Sequence, residues 1–278
     1  MADREQLIQH EKQATPLSDR EIEEADERSS TSAKVVHEAI RLEGTEELER
    51  ASSSVAWSGI AAGLTMGCSM VADGILRARL PDAPWRELVS SFGYSTGFLF
   101  VTMGRQQLFT ETTLTAMLPV LHKSHAVSDA ARYWSVVFAA NILGTLLFAA
   151  AATIPGLFTP EAVRQFIELG VSAAEPGFLT VLAKGVLAGW LIALMVWLLP
   201  AASGSRFFVI IAVTWLIGIA KFSHVIAGSV ETAFAAMQGA IGWDAYLMSF
   251  LIPALIGNSI GGVVFVALLN HAQVRKEI

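Results

Sequence analysis

The sequence holds a single cysteine, Cys68, in 278 residues. One cysteine excludes an intrachain disulfide and any multi-cysteine metal site, and within an apolar run it reads as a small packing residue. Charge is also scarce, at 16% of residues, and it concentrates in the first fifty positions. The opening stretch MADREQLIQHEK has no basic region leading into an apolar core, so no cleavable signal peptide is expected. No nucleophile–base pair, metal-ligand cluster or strand–helix phosphate loop can be assembled, so neither enzyme chemistry nor a cofactor is expected. His122 and His125 flank Lys123, but no third ligand is near, and a solvated loop accounts for them. Nothing in the chain resembles nucleic-acid recognition.

Apolar residues fill the rest. They make up 53% of the chain, against roughly 45–50% in an ordinary soluble domain, and the mean hydropathy is +0.52. These values describe an all-α integral membrane protein, surrounded by lipid, with a polar N-terminal tail. The net charge of −6 comes largely from that tail and says little about a ligand.

The tail covers residues 1–50, the membrane domain 51–270 and a short C-terminal piece 271–278. Ser18, with Asp19 and Glu21, suits the start of a short helix over 22–28. Val35, Val36, Ile40 and Leu42 fall at helical spacing, so residues 33–42 are expected to form an amphipathic helix on the membrane face, ended by Gly44. A spanning helix needs ~20 apolar residues. Six candidates follow, at 53–76, 88–121, 134–154, 178–199, 207–237 and 246–270, joined by short loops. Most tryptophans fall near their ends, where aromatic belts form. Lys34, Arg41 and Arg50 in the tail tip the balance of basic residues, so both termini are expected on the cytoplasmic side.

Two candidates are interrupted. Gly104-Arg105-Gln106-Gln107 divides one, and Lys221-Phe222-Ser223-His224 divides the other. A charge at the centre of an unbroken span costs at least ~2.5 kcal/mol. Irregular backbone is tolerated at that depth only where it lines a cavity or is buried in protein. Two interrupted helices in corresponding places mark a pore or binding site near the midplane. Three features recur at nearly one spacing: Gly63 and Gly67 with Gly185 and Gly189, Thr110 with His224, and Asn141 with Asn258. Three spans per copy is an odd number, so the expected architecture is an inverted 3+3 repeat. The glycines lie on single helix faces and suit close helix packing.

Leu108-Phe109-Thr110 after one break, Phe222-Ser-His224-Val-Ile-Ala227 at the other, and Gly257-Asn258-Ser-Ile-Gly261-Gly262 in the last span resemble the formate/nitrite transporter family. The resemblance covers roughly residues 33–270, in a divergent branch similar to the YfdC-type proteins. It implies an aquaporin-like protomer, a homopentamer in a bacterial inner membrane, and passage of a small monovalent weak-acid anion. It also implies that His224 is the central pore histidine, with Thr110 within its reach. Leu108, Phe109 and Phe98 would form the cytoplasmic constriction and Tyr94 the opposite one. A bare anion crosses an apolar constriction at high cost, and a proton removes most of that cost. Histidine is suited to give and take one.

The chain departs from the family pattern at several places. Gln107 stands where the family has an acid, Gly228 and Gly189 stand where it has asparagines, and the family lysine before the fourth span is absent. Instead there are charges inside the spans: Arg105, Lys221, Lys184, Asp73, Glu111 and Glu231. Arg105 and Lys221 stand at related places. Two readings compete for them: a positive potential at the pore, or braces pairing with Glu111, Glu231 or Asp73. The functional alternatives are an aquaporin-like pore for a neutral solute and a non-conducting scaffold or sensor acting through the acidic tail.

Overall fold

A computed structural model describes Ser18, Glu21 and residues 31–274. The expected helix at 22–28 lies outside the described residues. The chain forms two units, Met1–Ala33 and Lys34–Ile278. In the first, the backbone N–H and the hydroxyl of Ser18 both donate to the Glu21 carboxylate, at 2.8 and 2.7 Å.

All regular elements among the described residues are helical. In chain order they are α1 (Ala33–Glu49), α2 (Ser52–Arg79), α3 (Arg86–Met103), α4 (Phe109–Thr115), α5 (Met117–Leu121), α6 (Val127–Ala152), α7 (Pro160–Ala174), α8 (Phe178–Leu198), α9 (Arg206–Ile219), α10 (Val225–Met237) and α11 (Ala245–Val274). Helices α2, α6, α8 and α11 are each long and apolar enough to cross a membrane. The interrupted stretches become α3 with α4 and α5, and α9 with α10. This is a multi-pass membrane protein. Two parts of α11, Ala245–Leu251 and Val263–Leu268, are π-helical. The first immediately precedes Pro253, which has no N–H to continue the ordinary ladder.

Gly44 does not end α1. A Cβ at Gly44 would sit 1.9 Å from the Thr115 carbonyl oxygen, so the glycine lets α1 cross α4 at close range while the helix runs on to Glu49. The corner between α1 and α2 is fixed by Arg132, which donates to the Leu48 carbonyl at 2.7 Å and to Ser52 Oγ at 3.0 Å.

The connection from α6 to α8 is not a short loop. It contains α7, started by Thr159 as N-cap with Pro160 after it. Its buried face, Ala162, Phe166, Leu169, Gly170 and Ala174, has helical spacing. A Cβ at Gly170 would lie 2.2 Å from the Glu231 carbonyl oxygen, so α7 rides directly on α10.

The glycine contacts correct the register of the repeated features. Gly63 abuts the Asn141 carbonyl and Gly189 the Asn258 carbonyl, each at 2.2 Å from the position of an added Cβ. Gly63 therefore corresponds to Gly189, and Gly59 to Gly185, one helical turn away from the sequence-based pairing. Gly67 faces the Phe148 ring instead.

Candidate functional site

The two breaks are built alike. Helix α3 ends with Arg105 at φ 51°, and α9 ends with Lys221 at φ 51°. In the first, Arg105 N donates to Thr102 O and Gln106 N to Val101 O. In the second, Lys221 N donates to Gly218 O and Phe222 N to Ile217 O. This is the Schellman ending, with a left-handed residue just past the helix. Both cationic side chains are exposed and stand beyond a helix C-terminus, where the backbone dipole favours positive charge.

Each break is then held by one buried asparagine. Asn141 Oδ1 accepts from Phe109 N at 2.9 Å, while its Nδ2 donates to the carbonyls of Gln107 and Gly59, both at 2.8 Å. Asn258 Oδ1 accepts from Val225 N at 2.9 Å, and its Nδ2 donates to Ser223 O at 2.8 Å and Gly185 O at 2.9 Å. The two asparagines thus satisfy the backbone groups that an interrupted helix leaves open. Their role is to clamp the breaks as well as to pack the helices.

Between the clamps, Thr110 Oγ1 and His224 Nε2 lie 2.7 Å apart. Both residues are buried. His224 is the N-cap of α10, and its Nδ1 accepts from Ala227 N at 3.1 Å. An accepting Nδ1 assigns the proton to Nε2, which therefore donates to Thr110. Among the described residues, no hydrogen bond uses the Thr110 hydroxyl proton once His224 is the donor. Phe98 covers the histidine edge-on, with ring centroids 4.7 Å apart, and Tyr94 lies against Phe98 at 5.3 Å. Phe98 thus joins Tyr94 and His224, whereas the Phe109 ring meets Phe138. Leu108 is fully buried.

A vestibule borders each break. The first, about 380 Å³, takes in Glu47, Arg50, Arg105, Gln107, Glu111 and Arg206. Glu111 accepts from the Thr102 hydroxyl at 2.7 Å. Gln107 meets a carboxyl from another helix: its amide nitrogen donates to Glu47 (3.2 Å) and its oxygen accepts from Arg50 (2.9 Å), the orientation that satisfies both. Tyr133 reaches the same amide. Burial pushes Glu47 up to about 7 from the usual 4.5, against the lowering effect of its Thr115 hydrogen bond. The second vestibule, about 80 Å³, is bordered by Tyr94, Lys184, Lys221, His224, Gly228 and Glu231, with Asp73, Arg77 and Phe250. At Gly228 the Phe250 ring tip lies 2.2 Å from where a Cβ would stand. An aromatic ring thus fills the space where the family resemblance expects an asparagine.

The expected bracing pairs do not form. Lys221 pairs with Glu87 at 2.7 Å, Asp73 with Arg77 at 2.8 Å, and Arg77 also with Glu87 at 3.6 Å. No ion pair joins Arg105 or Lys221 to Glu111, Glu231 or Asp73 among the described residues. The reason is geometric. The left-handed ending turns both cations out into the vestibules, while Glu111 and Glu231 lie along the half-helices that follow the breaks. Sequence reasoning missed Glu87, Arg77, Glu47 and Tyr133. The spacing of Asp73 and Arg77, one helical turn, was the available signal for that pair.

Residues 34–272 match the family model described as formate/nitrite transporter. The chain is 40% identical over 261 residues to the inner membrane protein YfdC of Escherichia coli, covering 93% of this chain and 84% of that one. It is 26% identical to a probable formate transporter of Methanothermobacter thermautotrophicus, covering 82% and 87%. Its fold is similar to that of a pentameric formate channel with formate bound, with a TM-score of 0.69 at 22% identity, covering 81% of this chain and 98% of the channel. The chain belongs to the formate/nitrite transporter family.

Proposed function

We propose that the protein is a channel or secondary transporter for a small monovalent weak-acid anion of the formate or nitrite kind, moved together with a proton. The single observation that carries this reading is the Thr110–His224 hydrogen bond between the two breaks. Thr110 belongs to the segment whose neighbours border the first vestibule, and His224 borders the second. The Nε2 proton orients the threonine oxygen, and the threonine hydroxyl proton then faces an arriving anion. The positive ends of α4 and α10 begin at the same point and favour negative charge there. The apolar packing of Phe98 and Leu108 makes the neutral acid the species that crosses. Proton exchange takes place on the path that leads through the His224–Thr110 pair.

The family and the likeness to a pentameric channel support a protomer of six spans, arranged as an inverted 3+3 repeat, in a homopentamer. The resemblance to an inner membrane protein supports that location, with both termini cytoplasmic. Uptake of formate and nitrite into proteoliposomes across a pH series, wild type beside His224→Ala, tests the reading. Uptake that rises toward acid pH and is lost in the variant is the expected result. No uptake of any small weak acid above empty liposomes would overturn it. Fast swelling with a neutral solute and no response to pH would point instead to an aquaporin-like pore.

A further inference from the structure

The second vestibule contains a carboxyl that the site described so far does not use. Glu231 borders it, only 7% exposed, and no hydrogen bond or ion pair joins its carboxylate to another described residue. It lies on the same face of α10 as the pore histidine. His224, Gly228 and Glu231 follow one another at helical spacing and all border the cavity. Two turns of helix separate Glu231 from His224, about 10 Å. Between them the Phe250 ring packs over Gly228 and forms an apolar wall of the same cavity.

The groups facing Glu231 can be taken element by element. From α2 come Asp73 and Arg77, and Arg77 is already engaged by Asp73 at 2.8 Å and Glu87 at 3.6 Å. From α3 comes Tyr94, while Glu87, outside the cavity lining, holds Lys221 at 2.7 Å. Helix α8 supplies Lys184. Helices α7 and α11 supply no charge to the cavity, only Leu169, Ser172 and Ala173 from one and Phe250 from the other. The cations at the mouth thus attract an anion, and the cavity's acid that makes no hydrogen bond or ion pair among the described residues, Glu231, lies two turns from the histidine. A buried carboxylate without a donor or a counterion is costly, whereas a carboxylic acid in that place has a proton to give.

We infer that Glu231 is the proton-loading residue of the second vestibule, handing its proton to the weak-acid anion before the acid reaches His224. This rests on the transport reading above. In the step, the O–H bond of the Glu231 carboxyl breaks and an O–H bond forms on the anion, giving a Glu231 carboxylate and a neutral acid. Water at that mouth returns the proton to Glu231. In the reverse direction the carboxylate takes the proton from the emerging acid. His224 is poorly placed to begin this exchange, because its Nδ1 is occupied by the Ala227 N–H.

The test is formate uptake into proteoliposomes at a series of pH values, with empty liposomes subtracted, for wild type, Glu231→Gln and Glu231→Asp. Glutamine keeps size and polarity but has no proton to give. The expected result is that Glu231→Gln loses the acid-stimulated part of uptake while Glu231→Asp retains it with a shifted pH profile. Wild-type pH dependence in Glu231→Gln would overturn the inference and leave the transport reading standing. A wild type that takes up no formate, nitrite or other small weak acid would overturn both. Infrared spectra of the wild type and Glu231→Asp provide a second arm should the glutamine variant fail to fold. A protonated-carboxyl band at neutral pH that moves in the aspartate variant supports the inference, and absence of such a band overturns it.

Discussion

His224 and Leu108 hold the same backbone position, each the residue before a half-helix, with φ, ψ of −89°, 121° and −104°, 123°. The backbone repeats, and the chemistry does not. One N-cap offers an imidazole and the other only an apolar side chain. His224→Leu would make the two caps alike. The variant loses the Nδ1 cap to Ala227, worth about 1 kcal/mol, and leaves Thr110 without its donor. It is expected to remain folded by size-exclusion chromatography and to lose formate uptake. Thr110→Val should do the same, while Thr110→Ser retains uptake.

The asparagine clamps should be close to interchangeable in energy. Asn141→Ala and Asn258→Ala each strand two buried backbone groups at a break and remove a further bond to a helical carbonyl. An unsatisfied buried group costs ~1–3 kcal/mol, moderated where a membrane-embedded reference state finds other partners. Each variant is expected to lose about 2–4 kcal/mol in denaturant titrations. A large inequality between the two would show that one break is supported from elsewhere.

Arg105 carries a left-handed backbone that glycine adopts without a steric penalty. A non-glycine residue there costs of order 1 kcal/mol. Arg105→Gly is therefore expected to raise the thermal midpoint. Lys221→Gly relieves the same strain but also breaks the ion pair with Glu87, so it should gain less. Scanning calorimetry of the two variants beside wild type checks the difference.

Helix α1 should respond to pH from two ends. His37 is buried, and burial, followed by the nearby His271 ring, holds it below its usual 6.5. Its Nε2 lies 3.1 Å from His271 Nδ1. The unfolded chain binds a proton there more readily than the folded one, so stability from this site is lost as pH falls below 6.5. Glu47 has the opposite sign. Its carboxyl sits at about 7 in the fold against 4.5 outside it, so stability from it is lost as pH rises from 4.5 through 7. Hydrogen exchange of α1 amides measures both. Glu47→Gln should flatten the loss on the alkaline side, and His37→Gln the loss on the acid side.

The breaks were legible because a charged tetrapeptide inside an apolar run fits an interrupted helix and little else. Thr110 and His224 were legible only through the family motifs, since no spacing shows that they touch. Sequence spacing places the register of the glycine faces one turn off, because glycines four apart look alike until the contacting carbonyl is known. Helix α7 is a fifteen-residue amphipathic helix, too short and too polar to register as a span of twenty apolar residues, although Thr159-Pro160-Glu161 announces it. The sequence leaves two readings open for Arg105 and Lys221 because the direction of a side chain leaving a left-handed residue is a property of the backbone, which composition does not carry.

Each asparagine clamp is local to one half of the chain. The first joins Gly59, Gln107, Phe109 and Asn141, and the second joins Gly185, Ser223, Val225 and Asn258. As the chain leaves the ribosome, the first clamp can close before any residue of the second has been made. The bond between Thr110 and His224 must wait for both. Each half can thus complete its own clamp without the other, so a gene cut at the exposed turn around Gly156 is expected to yield a working protein from two separate polypeptides, measured by formate uptake after co-expression.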